Sequence, residues 1–262
     1  VKAITSESNA QFRHWLGLAR SPRAVREAGL TLAEGVHLSQ AALDAGVGAV
    51  AAVVRRGGLA AEATSLLERL PVAVPRFELA PALYERLAPV EQGAGLILVV
   101  PVDMAPVPQA EACDMVYLDG VQDPGNVGAV LRTAAAAGVR CVLAGPGTAA
   151  LWSPKVLRAG MGAHFRLRLC ERVAPAALAG ALNGSWVAAL AHGAPALWDV
   201  AFPAGAIGWA LGAEGSGLSA DTLDACSLRI CIPTSGAVES LNVAGAAAVC
   251  LFERARRRGA LP

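Results

Sequence analysis

The sequence predicts an α/β protein in two parts, a smaller amino-terminal α/β domain followed by a carboxyl-terminal domain with a mostly parallel sheet. Three observations carry that reading. Short apolar runs alternate with helical-period segments along the chain. Pro101 to Glu111, with three prolines and little periodicity, separates two such series and reads as a linker. Polar and glycine-rich loops follow three strand candidates of the second series, at the sheet edge where open α/β folds place their chemistry. The expected division is residues 1–105 and 106–262.

In the first series the pattern gives a helix from Ser8 to Leu18, a strand from Leu30 to Ala33 and a helix from Val36 to Ala45. It continues with a strand from Ala49 to Val54, a helix from Leu59 to Leu70, a strand from Val72 to Val74, a turn-rich piece from Pro81 to Leu87 and a strand from Leu96 to Val100. In the second series the strand candidates are Met115 to Leu118, Val139 to Leu143, Trp186 to Leu190, Ile207 to Leu211 and Leu228 to Ile232. A closing helix runs from about Val243 to Arg257. Strands alternating with helices in this way argue for parallel pairing with helices on both faces.

Composition narrows the class. The chain has 262 residues, 55% hydrophobic and 16% charged, which suits a folded protein with ample core rather than a disordered one. The apolar run Ala45 to Val54 stops at Arg55-Arg56 and is too short to span a bilayer. Gln11 to Arg26 is amphipathic and arginine-rich, unlike a secretory leader, so a cytoplasmic protein without membrane association is expected. Cysteines at 113, 141, 170, 226, 231 and 250 form no C-x-x-C pair and are expected as free thiols. The histidines lack ligand spacing, so no metal is expected.

A net charge of +1 argues against strong nonspecific polyanion binding. Only Lys2 and Lys155 are lysines, whereas arginines cluster at Arg13 to Arg26, at Arg166 and Arg168, and at Arg254 to Arg258. The guanidinium fork suits phosphate contacts, but arginine-rich coding would produce the same bias.

The first of the three loops is Asp123-Pro-Gly-Asn-Val-Gly-Ala-Val-Leu-Arg-Thr-Ala134. Its Pro-Gly turn ends a strand, Asn126 stands where a helix cap is expected before Val127, Val130, Leu131 and Ala134 recur at helical spacing, and Arg132 is expected inside the apolar face of this alanine-rich helix, where it either pairs in a structural network or faces a ligand. The second is Ala210 to Ser219, in which Gly212, Gly215 and Gly217 permit close backbone approach and Glu214 is the sole acid. The third is Ile232 to Val243, with Ser240 and Asn242 just before the closing helix. Taken singly, each has a structural reading as a glycine turn or a cap. Gly215 to Ala220 and Gly145 to Ala150 also match a G-x-G-x-x-A dinucleotide fingerprint, yet both lie late in their domain and lack the acid about twenty residues on.

Together the three loops resemble, in order and spacing, the signature motifs of the SpoU/TrmH group of the SPOUT RNA methyltransferases. Ser153 to Ala163 is similar to the segment that group carries between its first two motifs, and Thr234 departs from its usual methionine. Glu34-Gly35-Val36-His37 and Gln92-Gly93 resemble the ribosomal-protein-like substrate domain of rRNA-directed members. The resemblance implies a trefoil-knotted catalytic domain, a homodimer, and S-adenosyl-L-methionine bound by Leu211, Gly212, Ile232 and Leu241. It implies a catalytic constellation of Asn126, Arg132, Glu214, Ser240 and Asn242, acting on a ribose 2′-hydroxyl of rRNA or tRNA, with 23S rRNA favoured.

Family mechanisms make the arginine a base, whereas a neighbouring phosphate favours the charged guanidinium. Arg132 is therefore read here as a phosphate clamp that orients the 2′-hydroxyl, with Asn126, Glu214 and Ser240 completing a hydrogen-bond network. An RNA-binding module without catalysis and an NAD-dependent oxidoreductase are the alternative classes.

Overall fold

Asn9 starts the first helix, its side-chain oxygen accepting from the backbone N–H groups of Gln11 at 2.9 Å and Phe12 at 3.2 Å. In the computed structural model, which describes residues 1–88 and 93–259, the chain divides into two units. The first is Val1–Asp103 with Trp152–Phe165, and the second is Met104–Leu151 with Arg166–Pro262.

The first unit contains β1 (Lys2–Ile4), α1 (Ala10–Arg20), α2 (Pro22–Ala28), β2 (Leu30–Glu34), α3 (Val36–Asp44), β3 (Ala51–Arg55), α4 (Ala61–Arg69), β4 (Arg76–Leu79), α5 (Pro81–Leu87) and β5 (Leu96–Pro101). Its sheet order is β1-β4-β3-β5-β2, with β5 antiparallel to both neighbours. The expected strand at Val72 to Val74 is instead an exposed turn between Pro71 and Pro75, with Val74 N–H donating to Pro71 O, and the strand begins only after the second proline. The turn-rich piece at Pro81 is a helix, because proline at the first helical position leaves no needed donor unmade. The Gln92 half of the Gln92-Gly93 pair lies outside the described residues.

The second unit contains β6 (Met115–Asp119), α6 (Pro124–Ala136) and β7 (Cys141–Ala144). After α7 (Pro154–Gly160), which belongs to the first unit, it resumes with β8 (Arg168–Glu171), α8 (Leu178–Ala181), β9 (Gly184–Leu190), β10 (Ala206–Gly212), α9 (Ala220–Ala225), β11 (Leu228–Cys231) and α10 (Val243–Arg257). The six-stranded sheet has the order β11-β9-β10-β6-β7-β8, and all its pairings are parallel, as the alternation of strands and helices predicts. β6 is buried along its whole length, the signature of a strand covered on both faces.

Strand order sets the position of the site. From β6 the chain runs outward through β7 to β8, then returns to the other side, where β10 lies between β6 and β9. The loops leaving β6 and β10 therefore emerge side by side at the reversal of strand order, at the carboxyl ends of the strands. Leu211 pairs in register with Leu118 and Gly212 with Asp119, so both strands end level.

Candidate active site

The turn after β6 is built before any ligand is considered. Asp123, not Asn126, is the cap of α6: its carboxylate accepts from Asn126 N–H at 2.8 Å, with Pro124 in the first turn. Asn126 sits within the first helical turn, and its side-chain amide is left for longer-range contacts. Thr148 secures the turn from behind, accepting from Gly120 N–H at 3.1 Å and donating to Leu118 O at 2.8 Å.

The loop after β10 is pinned at both ends by one residue. Asp119 O accepts from Ala213 N–H at 3.1 Å, and Asp119 Oδ2 accepts from Ser219 N–H at 2.7 Å and from Ser219 Oγ at 2.8 Å. The loop also closes on itself through Gly217 N–H to Ala213 O at 2.9 Å. A Cβ on Gly212 would stand 2.3 Å from the carbonyl carbon of Gly217, and Gly217 itself has φ +67°. The first of these glycines serves the loop's own closure and the second its turn, while Gly215 has open space where a Cβ would be.

Three of the expected site residues meet in one chain of hydrogen bonds. Asn126 Nδ2 donates to Glu214 Oε1, and Asn242 Nδ2 donates to Asn126 Oδ1 at 2.9 Å. Asn242 also caps α10, its Oδ1 accepting from Ala244 N–H at 2.9 Å, so the capping reading and the network reading both hold. Ser240 makes no side-chain hydrogen bond among the described residues. It lines a cavity instead.

That cavity, of about 330 Å³, lies between the loops after β9, β10 and β11. Leu211, Gly212, Ile232 and Leu241 all line it, together with Glu214 and Ser240. Two further residues on its wall, His192 and Glu239, escaped the sequence reading. His192 follows β9, a strand end whose loop lacks the glycine and acid pattern of the other three. Asp119 was legible as an acid at a strand end, but its partner Ser219 lies a hundred residues away.

Arg132 stands apart. Contrary to its expected place inside the apolar face, it is exposed, makes no ion pair among the described residues, and lies off the buried face of α6 formed by Val127, Val130, Leu131 and Ala134, which among the described residues offers no carboxylate to offset a buried guanidinium. The structural salt bridge is thus set aside in favour of a side chain free to meet a ligand. Six residues separate it from Asn126, which places the two about 120° apart around the helix.

Electrostatically, the cavity suits a cation. Among the described residues its ionisable lining is Glu214, Glu239 and His192, without a lysine or arginine. Below it, burial and then the Asp119 charge push the Tyr117 hydroxyl up to about 12, so it remains a neutral donor, to Val173 O at 3.1 Å. The Gly145 loop does not serve as a dinucleotide turn. Gly145 is packed against Tyr117, and the next helix, α7, begins only at Pro154.

Comparison with known proteins adds a consistent picture. The model of the SpoU rRNA Methylase family matches residues 115–252. The chain is 30% identical over 256 residues, 96% of it and 98% of the relative, to the 23S rRNA (guanosine(2553)-2′-O)-methyltransferase RlmP of Bacillus subtilis. It is 40% identical over 149 residues, 55% of it and 59% of the relative, to the 23S rRNA (guanosine-2′-O-)-methyltransferase RlmB of Xanthomonas campestris. Among solved structures it is similar to the SpoU methyltransferase AviRb from Streptomyces viridochromogenes in complex with AdoMet. That likeness has a TM-score of 0.85 and 26% identity, over 97% of this chain and all of the other.

Proposed function

The chain belongs to the SpoU rRNA methylase family, and from that premise we propose that it transfers a methyl group from S-adenosyl-L-methionine to a ribose 2′-hydroxyl of 23S rRNA. The observation that carries the reading is the junction of the Asn126–Glu214–Asn242 network with a cavity whose charged lining is acidic. S-adenosyl-L-methionine, when bound, supplies an electrophilic methyl on a sulfonium; the carboxylates of Glu214 and Glu239 suit its positive charges, and Leu211, Gly212, Ile232 and Leu241 offer backbone and apolar contacts. The residues present fit the group.

The protein's share of the chemistry is positioning and charge placement. Arg132 clamps an RNA phosphate and orients the hydroxyl that will attack. Asn126, fixed between Glu214 and Asn242, holds its amide toward the acceptor, and Ser240 supplies a hydroxyl at the cavity wall. Transfer would break the methyl–sulfur bond, leave S-adenosylhomocysteine with a neutral sulfur and require the 2′-oxygen to give up one proton, for which the Glu214 carboxylate of this network and water are the acceptors at hand.

A homodimer fits the placement of Arg132. Within one chain it points away from the Asn126 face, whereas a second copy packed on the α6 and α10 helices would bring it to the partner's site. The small-residue face of α10, Ala244, Ala247, Ala248 and Leu251, is partly used inside the chain, since Ala247 and Leu251 are buried and α10 packs on α6, leaving Ala244 and Ala248 half-buried. The insertion of β10 between β9 and β6 and the packing of α10 on α6 are compatible with a carboxyl-terminal trefoil knot. Residues 1–105 are assigned RNA selectivity, with Arg13 and Arg20 on α1 and Arg23 on α2 all exposed.

The test is calorimetric titration with S-adenosylmethionine, S-adenosylhomocysteine and NAD, together with methyl incorporation into unmodified 23S rRNA and tRNA. Binding of the first two and methylation of rRNA are expected. NAD binding would support an oxidoreductase, and cofactor affinity without transfer to either RNA would reject the substrate assignment.

A further inference from the structure

A second cavity of about 460 Å³ lies at the opposite end of the parallel sheet, where β6 and β7 begin. Its walls are the residues just before β6, the end of α6 through Arg140, and the last turns of α10. Among the described residues, three guanidiniums, Arg140, Arg254 and Arg258, border it, against a single carboxylate, Asp114.

That carboxylate is already committed. Asp114 Oδ1 accepts from Ile207 N–H at 2.8 Å, and Oδ2 accepts from Arg254 Nε at 3.1 Å and faces Arg258 Nη1 at 3.1 Å. Arg254 is 8% exposed and also donates to Gly205 O, so its position is set by the fold. Arg140 makes no side-chain hydrogen bond or ion pair among the described residues. Cys113 adds no negative charge, because burial and then the charges of Glu111 and Asp114 push its thiol up. The cavity thus carries two positive charges beyond what its own carboxylate offsets, with one arginine free and another half-exposed.

We propose that this cavity is a second ligand site, separate from the methyl-transfer site, that takes a phosphomonoester of nucleotide size. A terminal phosphate carries about −1.5 to −2 charge at neutral pH, which matches the surplus, whereas a phosphodiester within an RNA strand carries only one negative charge. Arg140 and Arg258 present guanidinium forks to its oxygens, and Arg254 supplies fixed positive charge behind them. Leu251 and Ala255 leave an apolar wall for the nucleoside.

The experiment is calorimetric titration of the full chain with guanosine 5′-monophosphate, using guanosine as the uncharged control and saturating S-adenosylhomocysteine to occupy the other cavity. Saturable binding with a sub-millimolar Kd is expected, and guanosine should bind at least about tenfold more weakly. Arg140→Ala combined with Arg258→Ala should weaken the nucleotide about tenfold or more while S-adenosylhomocysteine affinity and Tm stay unchanged. Arg140→Glu alone, at an exposed position, should do the same without disturbing Asp114. No saturable binding at about 10 mM nucleotide, or equal affinity in these variants, would overturn the proposal. So would variants that lose rRNA affinity when mononucleotides do not bind, which would give the cavity to the RNA strand.

Discussion

Asp119 holds Ser219 by two hydrogen bonds to one carboxylate oxygen, from the backbone N–H at 2.7 Å and from the hydroxyl at 2.8 Å, across a sequence separation of a hundred residues. Because the backbone oxygen of Asp119 also holds Ala213, a single residue at the end of β6 brackets the loop that carries Glu214 and lines the cavity. Asp119 is 9% exposed, so its hydrogen bonds are not easily replaced by water. Ser219→Ala should remove one of them and lower S-adenosylmethionine affinity by about tenfold, consistent with a charge-assisted bond of about 1.5–3 kcal/mol. Asp119→Asn should cost as much or more. Calorimetry on variants with unchanged circular dichroism checks both, and full affinity in Ser219→Ala would remove the loop from the account.

Asn126 is the one group that both donates to Glu214 and accepts from Asn242. Asn126→Asp places a carboxylate against Glu214 and deletes the donor, so it should reduce turnover more than Asn126→Ala does. The expected difference is about tenfold in kcat, with cofactor Kd changed less than about threefold. Single-turnover methyl transfer measures it. Equal losses in the two variants would mean that the charge relation to Glu214 is immaterial.

The exposure of Arg132 and its place off the Asn126 face lead to a complementation test. Arg132→Ala and Asn126→Ala should each lose most of the activity, with a measurable residue in Asn126→Ala, while unfolding within about 0.5 kcal/mol and about 1 kcal/mol of the parent, respectively. Mixed under conditions that exchange subunits, they should recover about a quarter of the parent activity, since half the dimers would carry one intact site built from both chains. No recovery in a mixture shown to contain heterodimers would place Arg132 in its own chain's site.

Glu253 on α10 accepts from Arg256 and Arg257, and these hydrogen bonds lower its pKa to about 2. A carboxylate lowered on folding adds stability that is full above its unfolded value near 4.5 and fades as pH falls toward 2. Glu253→Gln should therefore lose about 1 kcal/mol at pH 7, after allowance for solvent screening, and only a small fraction of that at pH 2, where the native carboxylate is half protonated. Urea unfolding at both pH values tests this, and the same loss at pH 2 would show that the effect is not ionic. Arg257 also donates to Leu197 O and Val200 O, so charge-neutral loss at Glu253 leaves that anchorage in place.

Much of the second unit was legible in the sequence because its signals are strong. α10 runs from Val243 to Arg257 as its periodicity predicts, since Asn242 caps one end and arginines suit the other. The three loops stood out because glycines and isolated polar residues interrupt apolar strands. Other features were ambiguous or weak. Asp123 and Asn126 both compete to cap α6, and only the preference of proline for the first helical turn decides for Asp123. The apolar stripe of α6, Val127, Val130, Leu131 and Ala134, was legible and is buried, but the surrounding alanines widened the expected apolar face to include Arg132, which is exposed. β1 has three residues, too short for a period-2 pattern to register, and β8, as short as β7 and β11, has only Leu169 and Cys170 as apolar residues between Arg168 and Glu171.

The central claim, transfer to a ribose oxygen, is tested most directly by offering the enzyme two RNAs that differ at one atom. A substrate fragment of 23S rRNA and the same fragment with a single 2′-deoxynucleotide at the target position are incubated with radiolabelled S-adenosylmethionine. The 2′-hydroxyl is the proposed nucleophile, so the deoxy RNA should bind within about twofold of the parent and accept no methyl group. The parent should yield a 2′-O-methyl nucleoside whose 3′-phosphodiester resists alkaline cleavage. A methyl group on the deoxy substrate, or a parent product methylated on its base, would contradict the account.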